Sequence, residues 1–144
     1  MLISDLLNRQ VVISVEADQT VLEAARVMVE HNIGSVPVLE AGRLVGIFTE
    51  RDLMSRIVVG GKDPAHTPVR QAMTEDPMTV RPEDSLETCM TLMRRHGFRH
   101  LLVCAGRELK GVVSLRDILL HDLDEKDDEV RMMRAYLHST PEAG

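Results

Sequence analysis

The chain has 144 residues, 44% hydrophobic and 28% charged, with a formal net charge of −6. That acidic balance argues against a broad nucleic-acid footprint, which needs a basic face, and no apolar run approaches the ~20 residues of a membrane span. Aromatic residues make up only 2% while there are nine methionines, so the core must be aliphatic and pliable. The N-terminus lacks the pattern of a signal peptide, and two cysteines, Cys89 and Cys104, fit a reducing cytoplasm.

Residues 1–10 read as a short helical lead-in, with Ser4 as cap and Leu2, Leu6 and Leu7 available to dock it. Residues 11–15, VVISV, are β-branched and predict a strand. Thr20 and Glu23 form a capping box for a helix to His31, whose buried face carries Val21, Ala24, Ala25, Met28 and Val29. Asn32 and Gly34 stop it. Residues 35–39 and 44–48 predict a hairpin closed at Gly42, with Pro37 on an edge or facing outward. A second helix spans 50–58. Paired glycines and three prolines mark 59–77 as a connection, with a short helix at 69–73 inside it.

The same order then recurs. Residues 78–80 predict a strand, 85–96 a helix capped by Asp84 or Ser85, 100–104 and 109–113 a hairpin, and 115–121 a helix. Residues 122–144 have no counterpart in the first half. They start acidic and turn basic, as suits a helix macrodipole. Val130, Met133 and Leu137 share one face, and Pro141 ends the helix. That helix either docks on its own core or packs on a second subunit; the sequence supports both.

The recurrence is an internal repeat at a fixed offset of 65 residues. Val15 matches Val80, Met28 matches Met93, His31 matches His96, Val38 matches Val103 and Gly46 matches Gly111. A half of about 60 residues buries only a marginal core. Two copies that cover each other's apolar faces about a pseudo-twofold axis are therefore the economical arrangement.

The most repeated stretch is GIFTERD at 46–52 and GVVSLRD at 111–117. Thr49 with Asp52, and Ser114 with Asp117, have capping-box spacing. A helix start with free amides, a hydroxyl and a carboxylate suits a polar ligand: the amides favour phosphate and a carboxylate can accept both hydroxyls of a ribose. A capping box also stabilises a helix by ~1 kcal/mol with no ligand at all. The remaining groups carry no catalytic constellation. His31 and His96 sit at helix ends where a cation is favourable. His66, His121 and His138 lack ligand spacing, and no metal site is expected. Cys89 and Cys104 read as buried small hydrophobes.

Two β-α-β-β-α copies, each ending in G-h-x-[ST]-x-x-D, resemble a tandem pair of CBS domains, or Bateman module, of the stand-alone prokaryotic kind. The resemblance covers roughly Ser4 to Leu123. It implies an α+β fold with CBS domains at 4–60 and 73–123, a linker at 61–72, and an added C-terminal helix and tail at 124–144. It implies a non-enzymatic regulatory protein, cytoplasmic and homodimeric. No cofactor would be required, and an adenosine-containing ligand (AMP, ADP, ATP or S-adenosylmethionine) would sit in clefts between the copies.

Carried over by position, Asp52 and Asp117 would hold ribose, with Thr49 and Ser114 beside them. Val12 and Ile13 would frame adenine in the Asp117 cleft, and Pro77 and Met78 in the Asp52 cleft. Ile33, Gly34 and Ser35, and Phe98, Arg99 and His100, would line the clefts. Arg99 and His100 match a phosphate-contacting position, so the Asp117 cleft is expected to bind phosphate more strongly. The alternative is a ligand-free interaction module with an unidentified partner.

Overall fold

A computed structural model describes residues 2–7 and 12–139. The first half contains β1 (Val15–Glu16), α1 (Val21–His31), β2 (Ser35–Glu40), β3 (Arg43–Thr49) and α2 (Glu50–Asp52), and β4 (Thr74–Glu75) follows. The second half contains β5 (Thr79–Val80), α3 (Leu86–His96), β6 (His100–Ala105), β7 (Glu108–Ser114) and α4 (Leu115–Ser139). One sheet runs in the order β1-β2-β3-β4 and the other β5-β6-β7. In each sheet the first pair is parallel and the hairpin antiparallel. Even the hairpin irregularity repeats, at Val38/Leu39 and at Val103/Cys104.

Local sequence accounts for the helix ends. The Thr20 side chain accepts the Glu23 N–H and the Ser85 side chain accepts the Thr88 N–H, both at 3.1 Å. Asn32 and Gly97 end α1 and α3 in the left-handed conformation that those residue types tolerate best. His31 bonds the Val27 carbonyl in the last turn of α1 through Nδ1.

Each sheet buries alternate side chains against its helix. Val36, Val38 and Phe48 join Val21, Ala24 and Met28 in one core, while Leu101, Val103 and Val113 join Cys89, Met93 and Ile118 in the other. The two cores exchange their lead-ins. Ile3 is buried in the second core, and Val69, Ala72 and Met73 belong to the first. Matching backbone bonds fix the exchange: Ile3 N–H to the Asp84 carbonyl and Ser4 N–H to Pro82, against Val69 N–H to Gln19 and Arg70 N–H to Ala17. Leu2 bridges Ser85, and Pro68 bridges Thr20. Each half therefore completes the other.

Several elements differ from their sequence-based expectation. The strand expected at 11–15 is the short pair Val15–Glu16; Val12–Ser14 lie outside the ladder and Val11 outside the described residues. The helix expected at 50–58 begins as α2 and widens over Leu53–Val58, where Val59 N–H reaches back five residues to the Met54 carbonyl. Within the expected connection, Val69–Gln71 is a single 3₁₀ turn and Thr74–Glu75 is β4, paired with Gly46 and Ile47 on β3. The separate helices expected at 115–121 and beyond 122 are one continuous 25-residue helix, α4. No glycine or proline lies between Leu115 and Ser139, so nothing interrupts it. Leu6 and Leu7 pack against the second core as expected, whereas Leu2 is exposed. The expected stop at Pro141 lies outside the described residues.

Candidate functional site

Between the halves lies a cavity of about 790 Å³. It draws on the outward faces of both hairpins. In the first, Ser35 is opposite Thr49 and Pro37 opposite Ile47 across the ladder. All of these side chains face away from the core that Val36, Val38 and Phe48 fill. In the second hairpin, Leu102 is opposite Val112 and His100 opposite Ser114.

Most of the residues assigned to the clefts from sequence line this cavity: Val12, Ile13, Ile33, Gly34, Ser35, Thr49, Pro77, Met78, Phe98, Arg99 and His100. They come together in one chamber, where two clefts were expected. Ser114, Asp52 and Asp117 are absent from its lining. The wall is nearly symmetric, with Ile33 matched by Phe98, Pro37 by Leu102 and Ile47 by Val112 across the 65-residue offset. The mismatch is polar: Gly34 and Ser35 on one side, Arg99 and His100 on the other.

Asp52 lies just behind the wall and is 6% exposed. Its Oδ2 accepts the Thr49 N–H at 3.0 Å, while Thr49 Oγ1 accepts the Asp52 N–H at 3.1 Å, closing the capping box. Thr74 Oγ1 donates to Oδ1 at 3.1 Å and also lies 3.3 Å from Oδ2. The Arg56 guanidinium Nε is 3.7 Å from Oδ1, and its Nη1 donates to the Met73 carbonyl. Thr74 and Thr49 both line the cavity, so a polar ligand would reach Asp52 through their hydroxyls. The second copy is built differently. Ser114 Oγ accepts the Asp117 N–H at 3.0 Å, but Asp117 is exposed at the start of α4.

Gly46 explains why the repeated stretch begins with glycine in this half. A Cβ there would lie 2.5 Å from Met73 Sδ and 2.8 Å from the Thr74 carbonyl oxygen. Only hydrogen lets β4 pass close enough to bring Thr74 to Asp52. At the opposite wall the His96 ring stacks on Phe98, with centroids 5.4 Å apart.

The sequence reading missed Pro37, Ile47, Thr74, Asp76, Gly97, Leu101, Leu102 and Val112 as wall residues. Period-two alternation from Ser35 and from Thr49 would have found Pro37 and Ile47, and the repeat would then have found Leu102 and Val112. Thr74 and Asp76 carried no such signal, because they lay in a stretch read as connection. Among the described residues no cluster of histidine, cysteine or carboxylate side chains could hold a metal ion. Nor is any described helix long and apolar enough to cross a membrane. Burial holds the Cys89 thiol up at about 11 and raises that of Cys104.

The sequence model of the CBS domain matches residues 3–59 and 69–124. The CBS domain-containing protein YhcV of Bacillus subtilis is 35% identical over 124 residues, covering 86% of this chain and 87% of that protein. A crystal structure of a CBS-domain containing protein from Agrobacterium tumefaciens superposes with a TM-score of 0.73 at 32% identity, over 85% of this chain and 99% of that one. A CBS domain protein from Pyrobaculum aerophilum, complexed with AMP, superposes with a TM-score of 0.71 at 29% identity, over 84% and 97%.

Proposed function

This chain belongs to the CBS-domain family, and on that premise we propose that it is a regulatory sensor whose central cavity receives an adenosine-containing ligand. The observation that carries the reading is the cavity itself. Apolar walls from both halves suit a purine. Thr49 and Thr74 lead to a carboxylate in the first half, and Arg99 supplies positive charge from the second, with the His100 imidazole beside it in the wall. The AMP complex of the Pyrobaculum aerophilum protein is a precedent within the same fold and at comparable sequence distance.

In this reading the base lies among Ile33, Pro37, Ile47, Met78 and Phe98. The ribose hydroxyls engage the Thr49–Asp52 end, taking over the donation that Thr74 now makes to Asp52. The phosphate meets Arg99 and His100 from the other half. A ligand held in this way spans both halves. It can alter a regulated partner only to the extent that it binds one arrangement of the halves better than another. Asp117, exposed and outside the cavity lining, contributes less than Asp52; this reverses the order expected from sequence. Two free, buried thiols accord with a reducing, cytoplasmic setting.

One observation favours a second reading, a ligand-free interaction module. Asp52 already has its hydrogen bonds within the protein and needs no ligand to satisfy it. Thermal denaturation with AMP, ADP, ATP and S-adenosylmethionine separates the two. A ligand at 100 times its Kd stabilises by about 2.7 kcal/mol. Arg99→Ala with His100→Ala should abolish the difference between AMP and adenosine while leaving the adenosine shift. The absence of any shift across the panel would support the ligand-free module.

A further inference from the structure

Past its first turns, α4 stands clear of both cores. Among the described residues of this helix only Ile118 is fully buried, while Leu119, Leu123, Val130 and Met133 are 45, 57, 45 and 65% exposed. These apolar positions are spaced by four, seven and three residues, which places them in one stripe with the a/d spacing of a paired helix. Lys126 occupies the missing seam position, with its ammonium 3.2 Å from Asp122 on the same helix. A solvated helix of roughly five turns is marginal in water on propensity alone, so the stripe needs a covering surface.

The charges on the same helix identify that surface. Asp122, Asp124, Glu125, Asp127, Asp128 and Glu129 precede Val130, and Arg131 and Arg134 follow it. Two copies side by side in parallel would lay the acidic block on itself. Two copies antiparallel lay each acidic block against the other's basic end and oppose the helix macrodipoles. The register that seats Val130 on Met133 of the second copy also brings Asp127 beside Arg134 of the second copy. We propose that α4 from Leu119 onward is a self-recognition surface that pairs antiparallel with the same segment of a second copy of this chain.

Sedimentation equilibrium of the full chain tests this through a charge swap. The wild type should have the mass of two copies. Asp127→Arg and Arg134→Asp should each weaken association about tenfold, since each creates two like-charge contacts across the pair. The double variant should restore it. Within one chain these residues are seven apart, roughly 10 Å along the helix, so restoration reports a contact between chains. Val130→Glu with Met133→Glu should dissociate the pair, and circular dichroism should show both cores still folded, because neither residue is buried. A one-copy mass for the wild type overturns the proposal. So does a two-copy mass that no variant changes, or a double variant as weak as the singles. Disulfide capture of Leu119→Cys with itself would overturn the antiparallel sense.

Discussion

The same seven-residue stretch is used twice and ends in two different environments. GIFTERD places Asp52 behind the cavity wall, under β4, where Thr49, Thr74 and Arg56 surround its carboxylate. GVVSLRD places Asp117 on an exposed first turn of a 25-residue helix. The local code is equivalent in both, a hydroxyl cap followed by a carboxylate at N3. What differs is the setting of the carboxylate. Thr74–Glu75 closes the first sheet against Gly46 and brings the Thr74 hydroxyl to Asp52. A repeated motif thus sets where a helix starts, while in the first half the strand that crosses it makes the carboxylate a buried hub.

The largest effect should come from the first core, and it should reach the second half. Phe48 is fully buried, and Phe48→Ala should cost about 3–5 kcal/mol. Because Val69, Ala72 and Met73 sit in the first core while Ile3 sits in the second, the halves should unfold together. Calorimetry should show one transition at lower temperature. Two resolved transitions, with the second half melting as before, would mean that the exchanged lead-ins do not couple the cores.

Next is the glycine that admits β4. Gly46→Ala must displace Met73 and the Thr74 backbone, an overpacking cost of about 1–3 kcal/mol. Hydrogen exchange at Thr74 and Glu75 should accelerate more than exchange in β6 or β7. If the loss spread evenly over both sheets, the close crossing would not be its cause.

The two carboxylates then give the direct contrast. Asp52→Ala leaves a partly buried amide and the Thr74 hydroxyl without their acceptor, at about 1–3 kcal/mol. Asp117→Ala alters an exposed turn and should stay within about 0.5 kcal/mol. Denaturant midpoints at pH 7 measure both, and equal losses would remove the distinction between covered and open copies.

How much of this was legible in the sequence follows the same line. The repeat, the hairpins and the caps at Thr20 and Ser85 rest on local pattern and fixed offset, and a reader of the sequence can recover them; most of the cavity wall followed only from the resemblance to CBS domains, carried over by position. Thr74 could not be read as a partner of Asp52, because their pairing depends on how far β4 overlaps β3, and two residues of strand carry no periodicity. The exchange of Ile3 and Val69 between cores was equally silent, since an apolar lead-in does not say which half it docks in. The continuity of α4 could have been read, because nothing in its sequence breaks it; the end of the repeat suggested a boundary that the backbone does not require.

The smallest effect separates the halves by chemistry, not by cover. At the position where α1 carries Ala24, α3 carries Cys89, and both are fully buried. Burial holds the Cys89 thiol up to about 11, chiefly by desolvating the thiolate, with the negative charge of Asp84 adding to it. In the unfolded chain a thiol ionises near 8.5. Below that pH both states keep the proton and stability is unaffected. Between it and about 11 the unfolded chain gives up the proton and the folded chain does not, so stability falls as pH rises. The loss should be roughly 1–2 kcal/mol by pH 10, at about 1.4 kcal/mol per unit. Cys89→Ala, which copies the first half's residue into the second, should flatten most of that alkaline slope. Cys104, also raised by burial, should account for the remainder. Urea midpoints at pH 8 and pH 10 for the two proteins decide it, and a slope unchanged by Cys89→Ala would place the alkaline sensitivity elsewhere in the fold.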